Sequence, residues 1–354
     1  MHPLSDAAGS ITAMTAIRTT PPRPVDVTVL FPQLAPLART ATRLHPRPGS
    51  PTVHDSSVGG PLLWPADEPW PHCDGPHERG ATRRVLSPDD IRLLRHTHAA
   101  IASRRHLGSP ASRPTPEELA TEKRILKGRP WPEGPVPLLP VAQMYACDVP
   151  LPFSQPGIDL LQVLWCPFDH PTHPRTAVFW RSASTVTDVL DTPPEPPAIK
   201  SQGYLPEPSL LAPEQITECP AFMELDKELR QELGDPSRWD GSRPAGPQEF
   251  YEKELSTSPG WKTGGWSRWS LSDPMSRRCP ECGTEALPFL TIATLEWDAG
   301  SDSWAPEEER TNPTPLLLGI PPANFTLIGI ARGSSLQLHA CPADPSHPHI
   351  ELVQ

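Results

Sequence analysis

The sequence repeats itself in two halves, and this repetition constrains the fold more than any other feature. The segment Leu161–Asp169 recurs as Leu336–Asp344, with Leu, Gln, Cys, Pro and Asp in the same register. Two shorter matches precede it in the same order in each half. They are Gly-Gly-x3-Trp at 59–64 and 264–269, and the Leu-Pro segments at 139–144 and 287–292. Two copies of a sheet-forming unit usually pack into one body, because neither copy can close a core alone.

Composition refines this expectation. The chain contains 52 Pro, each of which fixes φ and removes a backbone donor, so long helices and long central strands are disfavoured. The hydrophobic fraction is only 36%, but 11 Trp can each bury a large area. We therefore predict an α+β fold of duplicated, mostly antiparallel sheets from two pseudo-symmetric repeats, with peripheral helices and long Pro-rich loops. The predicted organisation is a disordered tail (1–24) and a single bilobed domain (25–354) that comprises repeat 1 (about 56–189), a basic helical insertion within it (76–133), a connector (190–259) and repeat 2 (about 260–354).

Charge and cysteine usage exclude several classes of protein. The formal charge of −11 argues against a general nucleic-acid binder, which needs a positive surface. Residues 77–131 nevertheless carry twelve Lys/Arg against six Asp/Glu, which indicates either a solvated insertion or a basic patch that faces acidic groups. No signal peptide and no membrane-spanning apolar run is evident, so we expect a cytoplasmic protein without membrane contact. In that compartment its seven Cys would be reduced thiols or metal ligands.

Local patterns predict the individual elements. Ser87-Pro88 and Thr115-Pro116, each followed by two acidic residues, combine a capping residue with proline at the first helical position. Short apolar runs bounded by Pro or Gly predict buried strands. The predicted helices are 87–105, 116–127, 185–190, 221–233 and a short amphipathic helix through Val29, Leu34, Leu37 and Ala41, and the predicted strands are 137–145, 160–166, 177–180, 288–297, 326–331 and 336–340.

The sharpest chemical motif is Cys279-Pro-Glu-Cys282-Gly, a turn that aims two thiolates at one point. Cys341 and a histidine that follows it, His347 or His349, would complete a tetrahedral zinc site. His339 is a further candidate, because strand alternation would leave it beside Cys341. We predict a structural zinc ion held by Cys279, Cys282, Cys341 and His347. A redox pair and ordinary buried thiols are the competing interpretations.

The first half offers a weaker set of ligands. Cys73-x3-His77 and Cys166-x3-His170, with His173 nearby, could hold a second metal ion. Proline-flanked loop histidines are common in this chain, so the sequence favours histidines without a metal role here.

Catalytic motifs are absent from the sequence. It contains no G-x-S-x-G elbow, no H-E-x-x-H helix, no P-loop and no dinucleotide-binding glycine pattern. Asp169 and Asp344, which follow Cys-Pro in the two halves, are typical of an Asx turn that closes a strand. Gln143, Gln162 and Gln337 lie in apolar strands, where each amide needs hydrogen-bond partners.

Two sets of longer motifs resemble known protein families. Ser57-Val-Gly-Gly-Pro-x2-Trp-Pro65, Leu139-Pro-Val-Ala-Gln-Met-Tyr145 and the segment 159–167 resemble the bacterial YwqG-like family, a domain of unknown function. This resemblance implies a duplicated, mostly antiparallel α+β protein without an established activity, and some relatives are immunity proteins against toxins. The second half, through 262–269 and Cys279-x2-Cys282-Gly283, is similar to the start of programmed cell death protein 2 and its relatives. Those proteins are zinc-containing chaperones for a ribosomal protein.

These observations predict a non-enzymatic protein-binding module, either a chaperone or an immunity-type partner, with a structural zinc site. Its acidic surface would steer a basic protein partner. One alternative is a hydrolase-like enzyme with a site between the repeats that uses Cys166 or Asp169 with His170 or His173. Another is a scaffold component of a larger assembly, for which the Pro-rich tail and the basic insertion would be docking arms.

Overall fold

Short antiparallel strands form the framework of the protein. The computed structural model describes residues 18–81, 84–106, 113–151, 157–239, 244–311 and 323–354. Every strand pairing among these residues is antiparallel, and with the helices this confirms the α+β class. The strands are β1 Arg39–Arg43, β2 Arg47–Pro48, β3 Ser57–Val58, β4 His72–Cys73, β5 Val136–Pro137, β6 Leu139–Tyr145, β7 Leu160–Asp169, β8 Pro174–Arg181, β9 Ser209–Leu210, β10 Glu214–Glu218, β11 Lys262–Gly264, β12 Leu287–Ala293, β13 Ser335–Ala340 and β14 Ile350–Val353.

The helices lie outside the sheets, and all except Pro88–His106, with 19 residues, have ten residues or fewer in the described part of the chain. They are α1 Val27–Leu30, α2 Pro88–His106, α3 Pro116–Ile125, α4 Lys227–Gly234, α5 Pro247–Phe250, which a π-helical turn continues over Tyr251–Ser256, and α6 Glu307–Thr311. The described residues also form 3-10 turns at Pro32–Leu37, Ala183–Thr185, Gln202–Tyr204, Phe222–Glu224, Pro236–Arg238 and Asp302–Trp304. None of the helices in the described part of the chain is long and apolar enough to cross a membrane.

The strands form two six-stranded sheets and one small hairpin. One sheet has the order β2-β9-β3-β6-β7-β8, and the other has the order β10-β1-β11-β12-β13-β14. The hairpin pairs β4 with β5. Each repeat thus supplies four consecutive strands of its own sheet, while the N-terminal segment and the connector supply two flanking strands to each.

The two repeats have the same strand register. In repeat 1 Gln143 pairs with Gln162, and at the matched positions of repeat 2 Thr291 pairs with Gln337. Both ladders also shift register immediately after their Leu-Pro pair, between Pro140 and Ala142 in one and between Pro288 and Leu290 in the other. A bulge in the same place is a conserved backbone feature of the unit, so the internal duplication is structural as well as sequential.

Residues of both repeats build one main core. From repeat 1 it contains Val58, Leu161 and Trp165, and from repeat 2 it contains Phe289 and Leu336. Trp180 of β8 packs on Phe289 of β12 with ring centroids 5.6 Å apart, so the two sheets meet through large side chains. Two smaller clusters lie under the connector and beside the insertion.

The basic insertion forms the two predicted helices, α2 and α3. Thr115 and Glu118 make a full capping box at the start of α3, and Ser87 caps the start of α2. Arg92 pairs with Glu195, and Arg95 pairs with Glu207 at 3.1 Å, so part of the basic charge is met by acidic residues of the connector. The insertion is therefore docked on the body as well as partly solvated.

The amphipathic helix predicted near the N-terminus is wrong. Only α1 is α-helical, a 3-10 turn follows it, and β1 then begins at Arg39 and pairs with both β10 and β11. Pro32 and Pro36 supply no amide donor and therefore cannot continue an α-helical ladder. Ala41, predicted on the helix, lies in the centre of β1 opposite Ile216 and Gly264.

Three other predicted elements differ from the structure. The segment 186–190 is not helical. It runs beside Trp64, the tryptophan of the Gly-Gly-x3-Trp motif, and the Leu190 amide donates to the Trp64 carbonyl at 2.8 Å. The helix predicted over 221–233 is split, because Asp226 caps a new helix at the Leu229 amide. The strand predicted at 326–331 is absent, since Leu327 and Ala331 have positive φ values. The other predicted strands form, with β12 ending at Ala293.

The N-terminal residues 18–24, predicted to belong to a disordered tail, lie against the body. The Thr20 amide donates to Glu214 at 2.8 Å, and the Arg23 guanidinium stacks over Trp304 at 3.8 Å. Charge-assisted and cation-π contacts hold the segment despite its low hydrophobicity. The remainder of the predicted tail, 1–17, lies outside the described residues.

Candidate metal centres

The hairpin turn of repeat 2 positions two of the predicted zinc ligands. The Cys279 amide donates to the Thr284 carbonyl at 2.8 Å, and the Gly283 amide donates back to the Cys279 carbonyl at 2.9 Å. Gly283 has φ +72°, a conformation that a side chain would resist. This tight turn places Cys279 on its buried side and Cys282 on its exposed side.

The other two ligands of repeat 2 follow β13. Cys341 comes directly after the last residue of this strand and is fully buried. Asp344 forms the predicted Asx turn, accepting from the Ser346 amide at 2.9 Å, and its carbonyl accepts from the His347 amide. The turn directs His347 back toward Cys279, and their Sγ and Nδ1 atoms lie 3.4 Å apart.

All four predicted ligands of repeat 2 therefore come together. Cys279, Cys282, Cys341 and His347 offer donor atoms that lie within 4.8 Å of one another, and the sulfurs of Cys282 and Cys341 are 3.4 Å apart. Hydrogen bonding by Thr284 lowers the pKa of Cys282 to about 6, which favours the thiolate that binds metals.

The two alternative histidines lie elsewhere. His339 points to Ser267, with its Nε2 atom 2.8 Å from the hydroxyl, and burial lowers its pKa to about 3. The expected proximity to Cys341 fails because β13 ends between the two residues, so strand alternation does not extend to Cys341. His349 lies against Thr176 of repeat 1, 2.6 Å from its hydroxyl.

Repeat 1 contains a second cluster of four donors. The sequence favours histidines without a metal role here, but two of them lie together with two cysteines. Cys73, His77, Cys166 and His170 also lie with donor atoms within 4.8 Å of one another. The Cys73 sulfur is 3.4 Å from Nε2 of His170, and the Cys166 sulfur is 3.3 Å from Nε2 of His77. Burial lowers the pKa of His170 to about 4, which keeps its imidazole in the neutral, metal-binding form.

Both clusters match the dimensions of a tetrahedral zinc site. In a tetrahedral site, zinc bonds of about 2.3 Å to sulfur and about 2.0 Å to nitrogen separate two sulfurs by roughly 3.8 Å, a sulfur and a nitrogen by roughly 3.5 Å, and two nitrogens by roughly 3.3 Å. The Cys166 sulfur lies 3.3 Å from His77, and the Cys279 sulfur lies 3.4 Å from His347, so a small outward movement would admit the ion. The donor chemistry, thiolate with imidazole, is the set that zinc prefers over magnesium or calcium.

Asp169 and its neighbours do not form a catalytic arrangement. The carboxylate of Asp169 pairs with Lys200 at 2.6 Å and accepts from the Tyr204 hydroxyl at 2.5 Å. The Asx turn predicted here is replaced by these contacts, although it is present at Asp344. His173 pairs instead with Glu351 of repeat 2, at 3.1 Å.

The three strand glutamines make the predicted hydrogen bonds. Gln162 donates to Gln143 at 2.8 Å and to the Leu63 carbonyl at 2.9 Å, and Gln337 donates to the Arg268 carbonyl at 2.6 Å. Leu63 and Arg268 each precede the matched tryptophan of their half. The glutamines thus fasten the Gly-Gly-x3-Trp segments to the sheets.

Glu351 is an interacting residue that sequence reasoning missed. It accepts from the Thr176 amide and hydroxyl, both at 2.5 Å, and it also contacts His173 and His349. Thr176 and His173 belong to repeat 1, so one carboxylate joins the two repeats. No local pattern marks it, because all but one of its partners are more than 170 positions away.

A cleft lies between the repeats beside the metal cluster of repeat 2. Its volume is about 550 Å³, and it is lined by Ile158, Ala177, Val178, Phe179, Trp180, Phe289, Ala340 and residues 345–349. The loop that carries His347 forms one wall.

Comparisons with known proteins assign no family. No protein-family model matches the chain, and no curated protein matches it significantly.

Proposed function

We propose that the protein is a non-enzymatic binding module for another protein and that a zinc ion held by Cys279, Cys282, Cys341 and His347 has a structural role. The observation that carries the metal assignment is a closed set of four sulfur and nitrogen donors within 4.8 Å of one another. A structural zinc site uses four protein ligands, whereas a catalytic site leaves one position open for water or substrate.

The position of this cluster supports a role in shaping the binding surface. His347 belongs to the loop that lines the cleft between the repeats. Cys279, which His347 contacts, lies at the base of the hairpin before β12. Zinc would hold this loop in place against β13. The cleft would then be a preformed site rather than a surface that orders only on binding.

Three observations weigh against the hydrolase alternative. The Cys166 side chain is fully buried, and burial raises its pKa. The carboxylate of Asp169 contacts Lys200 and Tyr204 and is not paired with Cys166 or a histidine. His170 lies against Cys73 and His173 against Glu351, so neither imidazole is paired with Cys166 as a general base.

Charge and cleft chemistry indicate the partner. The net charge of −11 would accelerate association with a basic protein, and part of the basic insertion is already paired with the body. The apolar side chains of Val178 and Trp180, on one face of β8, offer the apolar centre that protein interfaces need. We therefore propose a basic protein that inserts apolar residues into this cleft.

A capture experiment tests the binding proposal. The immobilised protein is exposed to a lysate of its source organism at low and high salt, and bound proteins are quantified by mass spectrometry. Ile158→Arg places a positive charge in the cleft, whereas Ser184→Arg places the same charge on an exposed site outside it.

We expect basic proteins that bind wild type and Ser184→Arg, are lost with Ile158→Arg and weaken as salt screens the charges. Binding unaffected by Ile158→Arg would remove the cleft from the proposal. The absence of any specific partner at low salt would argue against a binding module altogether.

A stability measurement tests the structural role of zinc. Because metal binding is linked to folding, Cys279→Ser and strong chelation should both lower the melting temperature, while Cys147→Ser, at an exposed thiol outside both clusters, should not. Equal melting temperatures for wild type, chelated wild type and Cys279→Ser would show that no structural metal occupies the site.

A further inference from the structure

The first cysteines of the two clusters occupy the same position of the duplicated unit. In repeat 1 Cys73 pairs with Val136, three residues before the start of β6. In repeat 2 the Cys279 amide bonds to Thr284, three residues before the start of β12. The residues just before these cysteines, His72 and Arg278, pair with Pro137 and Glu285 in the same register.

The second cysteines are equivalent as well. Leu139 pairs with Trp165 in repeat 1, and Leu287 pairs with Ala340 in repeat 2. Cys166 and Cys341 are the next residues after these pairs, and each begins a Cys-Pro-x-Asp segment. Both are fully buried. Strand register therefore brings one cysteine pair together at the same place in each half.

The remaining donors come from equivalent loops. One follows the first cysteine, and it is His77 in repeat 1 and Cys282 in repeat 2. The other is a histidine after the second cysteine, His170 or His347. Even the pairwise contacts correspond: in each half the first cysteine lies against this histidine at 3.4 Å, and the second cysteine lies against the hairpin donor at 3.3 or 3.4 Å.

We infer that repeat 1 binds a second structural zinc ion through Cys73, His77, Cys166 and His170. The inference goes beyond the proposed function, which requires a metal only in repeat 2. One loop position holds His77 in repeat 1 and Cys282 in repeat 2, yet the four donors have the same geometry in both. A metal site that both copies kept after duplication would show this pattern. Thiols kept only for packing would not require a histidine from two separate loops to converge on them.

The surroundings suit a Cys2His2 zinc site. Two thiolates neutralise a divalent cation, so the complex carries no net charge into an interior where an unbalanced charge would be costly. Phe168 packs against the His77 ring at 4.9 Å and against Trp131 at 4.8 Å, which shields one side. The site of repeat 2, with three thiolates, would carry one negative charge and has the exposed Cys282 at its edge.

The second site would also anchor the insertion. The hairpin between Cys73 and Val136 contains both inserted helices, whereas its counterpart in repeat 2 is the tight turn 280–283. His77 lies at the start of this long connection, and the next residue, Glu78, bonds to the Asp169 carbonyl at 3.0 Å. Zinc would therefore tie the base of the insertion to the end of β7.

Metal stoichiometry tests the inference. The full-length protein is purified without a metal-affinity tag, and zinc per chain is measured by elemental mass spectrometry and by native mass spectrometry. We expect about two zinc ions in wild type and in Cys147→Ser, about one in Cys166→Ser and about one in Cys341→Ser. His170→Cys should keep about two, because a thiolate replaces the imidazole, whereas His170→Ala should lose one.

The outcomes separate this inference from the proposed function. One zinc in wild type that survives Cys166→Ser and is lost in Cys279→Ser would overturn the second site and leave the first intact. A disulfide between Cys73 and Cys166 in wild type would also overturn it.

Cobalt substitution tests the inference on wild-type protein and so does not depend on variants that fold poorly. Thiolate-to-cobalt absorption grows with the number of thiolates, so wild-type protein loaded with about one and then two cobalt ions distinguishes the sites. A second equivalent that adds no thiolate band would contradict the inference.

Discussion

Single residues in this protein act mainly through partners that are distant in sequence, and the buried pair Glu218–Lys262 is the clearest case. The Lys262 ammonium lies 2.6 Å from the carboxylate, and neither side chain is more than 2% exposed. The amides of Ser258 and Trp266 also donate to Glu218, at 2.8 and 2.9 Å. Burial lowers the pKa of Lys262, and the carboxylate opposes that effect.

Removing one charge from this pair should destabilise the protein strongly. Glu218→Gln leaves the Lys262 ammonium buried without its counter-charge, which typically costs about 3 to 5 kcal/mol in the free energy of unfolding. The double variant Glu218→Gln/Lys262→Met should recover part of this loss, because it removes the orphaned charge. Denaturant unfolding at neutral pH measures both. A single variant as stable as wild type would mean that the pair contributes no net stability.

The candidate metal ligands illustrate how far residue-level prediction reaches. The Cys-x2-Cys spacing and the nearby Cys341 and His347 were enough to predict the cluster of repeat 2 from sequence. The four residues of repeat 1 were only a weaker candidate from the sequence, because an insertion separates Cys73 and His77 from Cys166 and so hides a hairpin equivalent to that of repeat 2. Comparison of strand registers, which needs the structure, makes the equivalence visible.

At the scale of elements, local signals gave the helices that begin with clear caps, α2 and α3, and the long apolar strands β6, β7 and β13. They failed where tertiary pairing decides the conformation. β1 is composed of Arg, Thr and Ala and shows no strand pattern, yet it lies between β10 and β11. β14 is likewise stabilised by its neighbour β13. Such strands form because a sheet edge is present for them to join.

The capping box of α3 gives a prediction about one element. The Glu118 amide donates to the Thr115 hydroxyl at 3.2 Å, and the Glu118 carboxylate accepts from the Thr115 amide at 2.8 Å. Thr115→Ala removes the side-chain cap and should cost about 1 kcal/mol in local helix stability. Hydrogen exchange of the amides of α3 should accelerate about fivefold.

The matched control is Thr121→Ala in the interior of the same helix, where alanine is the better helix former and exchange should slow slightly. Equal exchange rates in Thr115→Ala and wild type would show that tertiary docking, and not the cap, determines the stability of α3.

At the scale of the whole molecule, the duplicated halves meet through equivalent positions. Thr176 pairs with Trp165 of β7. His349 directly precedes Ile350, the partner of His339, and so continues that register toward Ala340, the counterpart of Trp165. The Thr176 hydroxyl and the His349 Nε2 atom lie 2.6 Å apart. Contact between equivalent residues is typical of a two-fold arrangement. The sequence predicted the duplication but not this junction, because β8 and β14 share no sequence motif.

Glu351 makes this junction sensitive to acid. Burial alone raises its pKa, but hydrogen bonds with His173, His349 and Thr176 outweigh burial and hold the pKa of Glu351 well below its usual value. A carboxyl group with a depressed pKa stabilises the folded state at pH values above its unfolded pKa of about 4.3, and this contribution disappears as the pH falls below that value.

The last prediction is therefore a difference in stability that depends on pH. Glu351→Gln should be about 2 kcal/mol less stable than wild type at pH 7, since it removes a charged acceptor shared by both repeats. The difference should shrink progressively below about pH 4.3, because the wild-type carboxyl group then loses its linked stabilisation. Denaturant unfolding across this range measures the difference. Glu133→Gln, at an exposed carboxylate, should show no such pH dependence. A wild-type advantage that persists unchanged at pH 3.5 would show that Glu351 joins the repeats by packing and neutral hydrogen bonds instead of by its charge.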